Sequence, residues 1–232
     1  MTEDLDSLSS EEIAARLSGS PEERAALVRA GAEAGVAEAQ AVLGQMLLDD
    51  GQAREGFAWF NKAAGQGHPM ALNMVGRCYD LGWGTAIDKV RAAECFRIAA
   101  ERGLEWGMYN YATSLTLGEG LTEDKAAALA WFNKAAAMGN AKAINYVGSF
   151  HEDGWVVARD MVKAADFYRQ AAEGGDFRGA FNHARMLLEA GQVEAARGWL
   201  ARCRETATPA FVQKARDWLK ASSWPELDAA LC

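Results

Sequence analysis

The chain repeats itself. The stretch AWFNKAAGQGH, 58–68, returns as AWFNKAAAMGN, 130–140. Aligning similar stretches on the glycine that closes them picks out Gly35, Gly67, Gly103, Gly139 and Gly175, at intervals of 32, 36, 36 and 36 residues. A fixed period of this length restricts the chain to an array of like supersecondary units, each unable to bury its apolar side alone and each covered by its neighbours.

Columns run through the period. Small pairs, Ala63-Ala64, Ala99-Ala100, Ala135-Ala136 and Ala171-Ala172, precede each closing glycine. Four residues before them stands a bulky column of Trp59, Cys95, Trp131 and Phe167, with Trp199 as its fifth member. In the front half, Ala39, Ala71, Gly107, Ala143 and Gly179 are each followed five residues later by Gly44, Gly76, Ala112, Gly148 and Ala184. Apolar residues between these columns recur at three- and four-residue spacing on either side of a glycine-rich turn, which predicts helix, turn, helix in every unit. The columns are read as complementary: small residues let helices approach closely, and the bulky column fills the space between successive units. Enlarging Gly76 or Gly148 is then expected to cost about 1–3 kcal/mol, and truncating Trp59 or Trp131 to Ala about 3–5 kcal/mol.

Asp88, Asp124 and Asp160 form a further column, one immediately before each second helix. Carboxylates in register invite a metal reading, but an aspartate before a helical run accepts hydrogen bonds from the free N–H groups of the first turn, and one per unit would lie too far apart to share an ion. At the ends, Ser9–Glu12 and Ser20–Glu23 read as capping boxes, the second with Pro21 at the first helical position. Thr208 and Pro209 open a final amphipathic run that carries Phe211, Val212, Ala215, Trp218 and Leu219. Such atypical terminal units cover the exposed core of a stack.

Composition narrows the function. A net charge of −8 disfavours nucleic acid, whose binding relies on clustered Lys and Arg. The acidic start MTEDLDSLSSEE lacks the features of a secretory signal, and no apolar run is long enough to span a bilayer, so a soluble, cytoplasmic protein is expected. Cys78, Cys95, Cys203 and Cys232 show neither C-x-x-C nor Cys-His spacing and read as thiols. His68, His151 and His183 fall in different columns and read as packing or bridging groups; no nucleophile, zinc or phosphate-loop motif is present.

The ordered columns, small residue, apolar-Gly, Tyr, G-x-G, Asp, Ala, aromatic pair, Ala-Ala and closing Gly, resemble the Sel1-like repeat, a longer relative of the tetratricopeptide repeat. The fullest copy is ALNMVGRCYDLGWGTAIDKVRAAECFRIAAERG, 71–103. The third unit has Ala112 for Gly and Leu115 for Tyr; the fourth has His151 for Tyr and Val156 for the second Gly. The first and fifth units lack about four loop residues, like plain tetratricopeptide units. The resemblance implies an all-α fold, a right-handed superhelical solenoid of antiparallel helix pairs with a concave face that holds other proteins or peptides. The expected organisation is a degenerate N-terminal cap over 1–35, five repeats over 36–67, 68–103, 104–139, 140–175 and 176–204, and a C-terminal helix and tail over 205–232, as one continuous domain.

In such stacks the first helix of each pair lines the inner curve. Positions there that the core columns leave free are Met70, Asn73, Arg77, Trp106, Tyr109, Thr113, Asn145, Ser149, Phe181 and Arg185, and these are the candidate partner-binding residues. Amide, hydroxyl and guanidinium groups beside aromatics suit a peptide backbone and its anchors. Phe181 fits the core equally well. Trp83 and Trp155, in equivalent loops, are a second possible contact, although a loop Trp more often folds back as a cover. The function expected is a non-enzymatic scaffold or adaptor with a protein or peptide partner, no cofactor, no nucleic acid and no membrane insertion; the sequence leaves the oligomeric state open, with a monomer favoured. The alternatives are a regulatory subunit of a separately encoded enzyme, or a small-ligand binder or enzyme built on helical repeats.

Overall fold

The computed structural model describes residues 18–231, so the Ser9–Glu12 box and Cys232 lie outside the described residues. Among the described residues every regular element is helical. The chain forms two compact units, one up to Glu123 and one from Asp124 onward. The first holds α1 (Pro21–Glu33), α2 (Ala37–Asp49), α3 (Ala53–Gly65), α4 (Pro69–Leu81), α5 (Lys89–Glu101) and α6 (Glu105–Leu117). The second holds α7 (Lys125–Ala137), α8 (Ala141–Asp153), α9 (Met161–Glu173), α10 (Phe177–Glu189), α11 (Val193–Thr206), α12 (Pro209–Ala221) and a 3-10 segment (Pro225–Leu231). Each helix packs on the next from α1 to α6 and from α7 to α11. In addition α4 touches α6, and α8 touches α10.

The period is imposed locally by how helices stop and start. At Gly67 the backbone takes φ +83°, a left-handed conformation in which glycine meets no Cβ penalty. There the Gly67 N–H donates to the Ala64 carbonyl at 2.8 Å and the His68 N–H to Ala63 at 3.2 Å, which satisfies the helix's last free carbonyls. The same pair of bonds recurs at Gly103, Gly139 and Gly175, so the Ala-Ala columns are the final turns of α3, α5, α7 and α9. Asp88, Asp124 and Asp160 each cap a second helix, accepting from the backbone N–H three residues on at 3.0, 2.9 and 3.0 Å. His68 caps α4 through Nδ1, which accepts from the Ala71 N–H at 3.2 Å.

Packing follows the small columns. A Cβ added to Gly76 would stand 2.6 Å from the Phe96 ring, and one added to Gly148 would stand 2.8 Å from the Tyr168 ring. Each glycine is therefore the seat for an aromatic ring of the following helix. In the fifth repeat the seat is Ala184 and the paired position is the smaller Leu200, both buried. Gly107 and Gly179 meet Ala99 and Ala171 just as closely, at 2.7 and 2.6 Å for an added Cβ.

One column shifts. The fully buried rings are Phe60, Phe132 and Tyr168, one residue after the bulky column assigned from sequence; Trp59, Trp131 and Phe167 are only half-buried. Lys62 lies 3.6 Å from the Trp59 ring centroid and Lys134 3.9 Å from that of Trp131, so each indole carries a cation on its face, while Trp59 also packs against the buried Ala32, Leu43 and Leu47 of the two preceding helices. The expected large loss on truncating Trp59 or Trp131 thus passes to Phe60 and Phe132.

The ends are capped as their sequences suggest. Ser20 and Glu23 form a reciprocal capping box at the start of α1. Thr208 caps α12, whose Ala215 and Leu219 are buried. The 3-10 segment was not legible beforehand; it lies against α11 and α12, inserts Leu227 and Leu231, and is tied down by Arg216, which donates to both Asp228 oxygens at 2.6 and 3.0 Å.

Candidate functional site

The candidate residues divide between the two units, and the polar ones do more structural work than expected. In the first unit Asn73 is 3% exposed, and its Oδ1 accepts from Asn110 Nδ2 at 2.8 Å, joining α4 to α6. Arg77 lies over the Trp83 indole, 4.7 Å from its centroid, so this loop tryptophan is folded back against the helix. The Thr113 hydroxyl donates to the Tyr109 carbonyl one turn back at 2.9 Å. Met70 and Trp106 remain exposed, at 40% and 37%, and Tyr109 packs edge-on against Trp106 with centroids 6.1 Å apart.

In the second unit the equivalent amide bridge joins Asn145 and Asn182 at 2.9 Å across α8 and α10. Here it continues into a network. Arg185 donates to Asn182 Oδ1 through Nε and an NH2 group, and grips Glu152 with both terminal nitrogens at 2.9–3.1 Å. The Tyr168 hydroxyl donates to Glu152 Oε2 at 2.5 Å, an oxygen it shares with Arg185, and lies 3.2 Å from Ser149 Oγ. Burial raises the Glu152 pKa, but the hydrogen bonds from Arg185 and Tyr168, with the charges of Arg185 and Arg159, outweigh it and hold the carboxyl below the usual range. Burial, reinforced by the hydrogen bond to Glu152, drives the Tyr168 phenol well above its ordinary value.

Three expectations are therefore corrected. Asn73 and Asn145 are buried and paired, because an amide facing another helix finds its partner there and not in a ligand. Phe181, 8% exposed, belongs to the core around α10, α11 and α12 and meets Phe211 and Trp218 edge-on at 5.7 and 5.5 Å. Arg185 is not a free guanidinium, being committed to Glu152 with only 17% of its side chain exposed.

Asn145, Ser149 and Phe181 nevertheless border one cleft of about 340 Å³. Tyr146 of α8, Arg178 and Asn182 of α10, and Phe211, Lys214 and Trp218 of α12 complete its wall. Of these, Arg178 stands in the first-helix column that includes Met70 and Trp106, whereas Lys214 and Trp218 come from the terminal helix, where no repeat column announces them. The Asn110 and Asn182 partners follow Asn73 and Asn145 by 37 residues, one off the period, and so escape a search in register. In the first unit a second hollow, bordered by Tyr79, Val90, Arg91, Glu94 and Cys95, has about 540 Å³. Its thiol is no ready nucleophile: burial and the Glu94 charge push Cys95 up to about 11.

The remaining histidines pack. His151 stacks on Phe167 with planes 7° apart, and His183 meets Trp199 edge-on; burial, with the Arg169 charge, lowers the His183 pKa. No described helix is long and apolar enough to cross a membrane.

Comparison with known proteins agrees with this architecture. The family model described as Sel1 repeat matches residues 37–68, 69–104, 107–140 and 141–176. The protective antigen c5321 of uropathogenic Escherichia coli, which displays an SLR fold, is 26% identical with a TM-score of 0.71; the match covers 94% of this chain and 50% of that one. The chain thus spans about half the length of that antigen. A Sel1 repeat protein from Oxalobacter formigenes shares the fold at 22% identity and a TM-score of 0.71, covering 85% of each chain. The immunity protein Pa5087 of Pseudomonas aeruginosa shares it at 17% identity and a TM-score of 0.56, over 84% of this chain and 75% of that one. Helix pairs closed by left-handed glycines, ring-seating glycines and four consecutive family matches lead to one conclusion: the chain belongs to the Sel1 repeat family.

Proposed function

We propose that the chain is a non-enzymatic, cytoplasmic protein-interaction scaffold whose first-helix faces hold a protein or peptide partner. Sel1 repeats are generally protein-interaction modules, and the observation that carries the reading here is the cleft bordered by α8, α10 and α12. Its aromatic walls and its amide bridge are fixed before any partner arrives, which reduces the ordering cost of binding. The carboxylate joined to it, Glu152, is held ionised by Arg185 and so serves position, not proton transfer. In this reading Met70, Trp106, Tyr109, Ser149 and Thr113 offer contact surface, while Asn73, Arg77, Asn145, Phe181 and Arg185 hold that surface in shape.

The test is site-specific photocrosslinking in native cells, with a photoreactive side chain at Met70 on a first-helix face, at Lys214 on the α12 wall of the cleft, or at Val162 on α9, which is 81% exposed. Adducts at the first two positions should exceed those at the third by about fivefold or more, the margin expected of a localised interface. Equal yields at all three, or adducts confined to Val162, would overturn the proposal.

A further inference from the structure

We infer that the α8–α10–α12 cleft reads an acidic residue set beside an apolar one in a peptide segment of the partner. This rests on the scaffold reading and gives its partner a chemistry. The cleft carries two cations, Arg178 and Lys214, and no carboxylate borders it. Both cations are exposed, and the Arg178 charge also acts on the buried carboxyl of Asp176. In a chain with a net charge of −8 this is a local reversal of sign. Arg185 adds nothing to it, since its charge is cancelled by Glu152. Asp176, the nearest acid in sequence to Arg178, is buried and caps α10 by accepting from the Gly179 N–H at 2.8 Å.

The placement of the two cations makes the cleft a reader as well as an attractor. The Arg178 guanidinium lies over the rings of Phe177 and Phe211, 4.5 and 5.7 Å from their centroids. Contact with the two rings, whose planes are 66° apart, confines the guanidinium, whose N–H groups can make two parallel bonds to a carboxylate. Beside it, Phe181, Phe211 and Trp218 stand edge to face in a fixed apolar wall. A volume of about 340 Å³ is at the small end of ligand-sized cavities, enough for a few side chains and no more. Two cations on an acidic chain are too few to hold a polyphosphate, which depends on many neutralised phosphates. A carboxylate at the cationic edge with an aliphatic or aromatic neighbour against the wall satisfies both halves of the cleft.

The experiment is selection of a displayed random dodecapeptide library on the full chain, on the double variant Arg178→Glu with Lys214→Glu, and on Trp218→Ala, with unfolding curves confirming that each variant is folded. Peptides selected on the natural chain should be enriched in Asp or Glu next to Leu, Ile, Phe or Trp. Their affinity should fall at least about tenfold on the charge-reversed variant, as for a lost charge-assisted contact, and selection on that variant should turn to Lys and Arg. Trp218→Ala should lose the apolar preference and keep the acidic one. Enrichment without acidic residues, or unchanged on charge reversal, overturns this inference and leaves the scaffold reading standing. Displacement of the selected peptides by equimolar succinate or a short oligo-dT also overturns it, in favour of a small dicarboxylate or a nucleic acid. Failure to select any peptide on the natural chain overturns both readings.

Discussion

The two units share a frame and use it differently, as a 72-residue offset makes plain. Asn73 and Asn110 correspond to Asn145 and Asn182, and the amide bridge is the same. Around it, Arg77, Asp80, Phe96 and Thr113 of the first unit correspond to Ser149, Glu152, Tyr168 and Arg185 of the second. In the first unit the arginine sits on the earlier helix and lies over Trp83, while Asp80 pairs instead with Lys89 at 2.6 Å. In the second the arginine sits on the later helix, the acid is one methylene longer, and the core ring has gained a hydroxyl; the three meet. A shared scaffold geometry thus tolerates dispersed charged contacts at one place and a single polar network at the other. The network depends on three coordinated side chains, not on a different backbone.

The largest test of this contrast is removal of the acid. Glu152→Ala leaves Arg185 largely buried without its partner and should cost about 2–4 kcal/mol in urea unfolding, the lower end reflecting residual solvent access. Asp80→Ala, at a more open pair, should cost under about 1 kcal/mol. Adding Arg185→Met to Glu152→Ala should recover more than half of the loss. Equal losses at Glu152 and Asp80 would break the comparison. Because the Glu152 pKa is depressed in the folded state, its contribution is present above the unfolded pKa and is lost as pH falls through the folded one. The stability gap between the natural chain and Glu152→Gln should therefore narrow below about pH 4, the ordinary glutamate range.

The shared frame predicts similar effects. Gly76→Ala and Gly148→Ala should each lose about 1–3 kcal/mol, because the added Cβ strikes Phe96 and Tyr168 at nearly the same distance. A marked inequality would show that the two seats are not equivalent. Exchanging the rings sharpens the point: Phe96→Tyr should lose about 1–3 kcal/mol by burying a hydroxyl away from its network, and Tyr168→Phe about 1 kcal/mol by removing hydrogen bonds. The smallest effect concerns the loops. Val156 holds φ +53° where the first unit has Gly84 at φ +70°, so Val156→Gly should raise thermal stability by about 0.5–1 kcal/mol. Gly84→Val should be destabilising, since a Cβ there meets the Ala53 carbonyl.

Helix limits were legible in the sequence because they are written in short-range chemistry: an Asp at one end, a left-handed Gly at the other. The small and bulky columns were legible, but the ring that seats on each glycine lies one residue beyond the bulky column. Trp59 and Phe60 are adjacent, and a rotation of one residue about the helix decides which faces the seat. The structure seats Phe60 on the glycine and packs the indole against Ala32, Leu43 and Leu47, with Lys62 over its face. The candidate site was less legible for a related reason. A polar residue on a first-helix face reads as free when the next first helix is ignored, yet Asn73 and Asn145 bond across that contact. Glu152 and Lys214 carry no column signal, since their roles arise from side chains that converge only after folding.

The amide bridges give the array a parity. Each joins an even-numbered repeat to the odd-numbered one that follows, so the natural currency of gain or loss along such a chain is 72 residues. Excising one member of a bridged pair of repeats would strand one asparagine without its partner, whereas excising both members would remove both halves of the bond together.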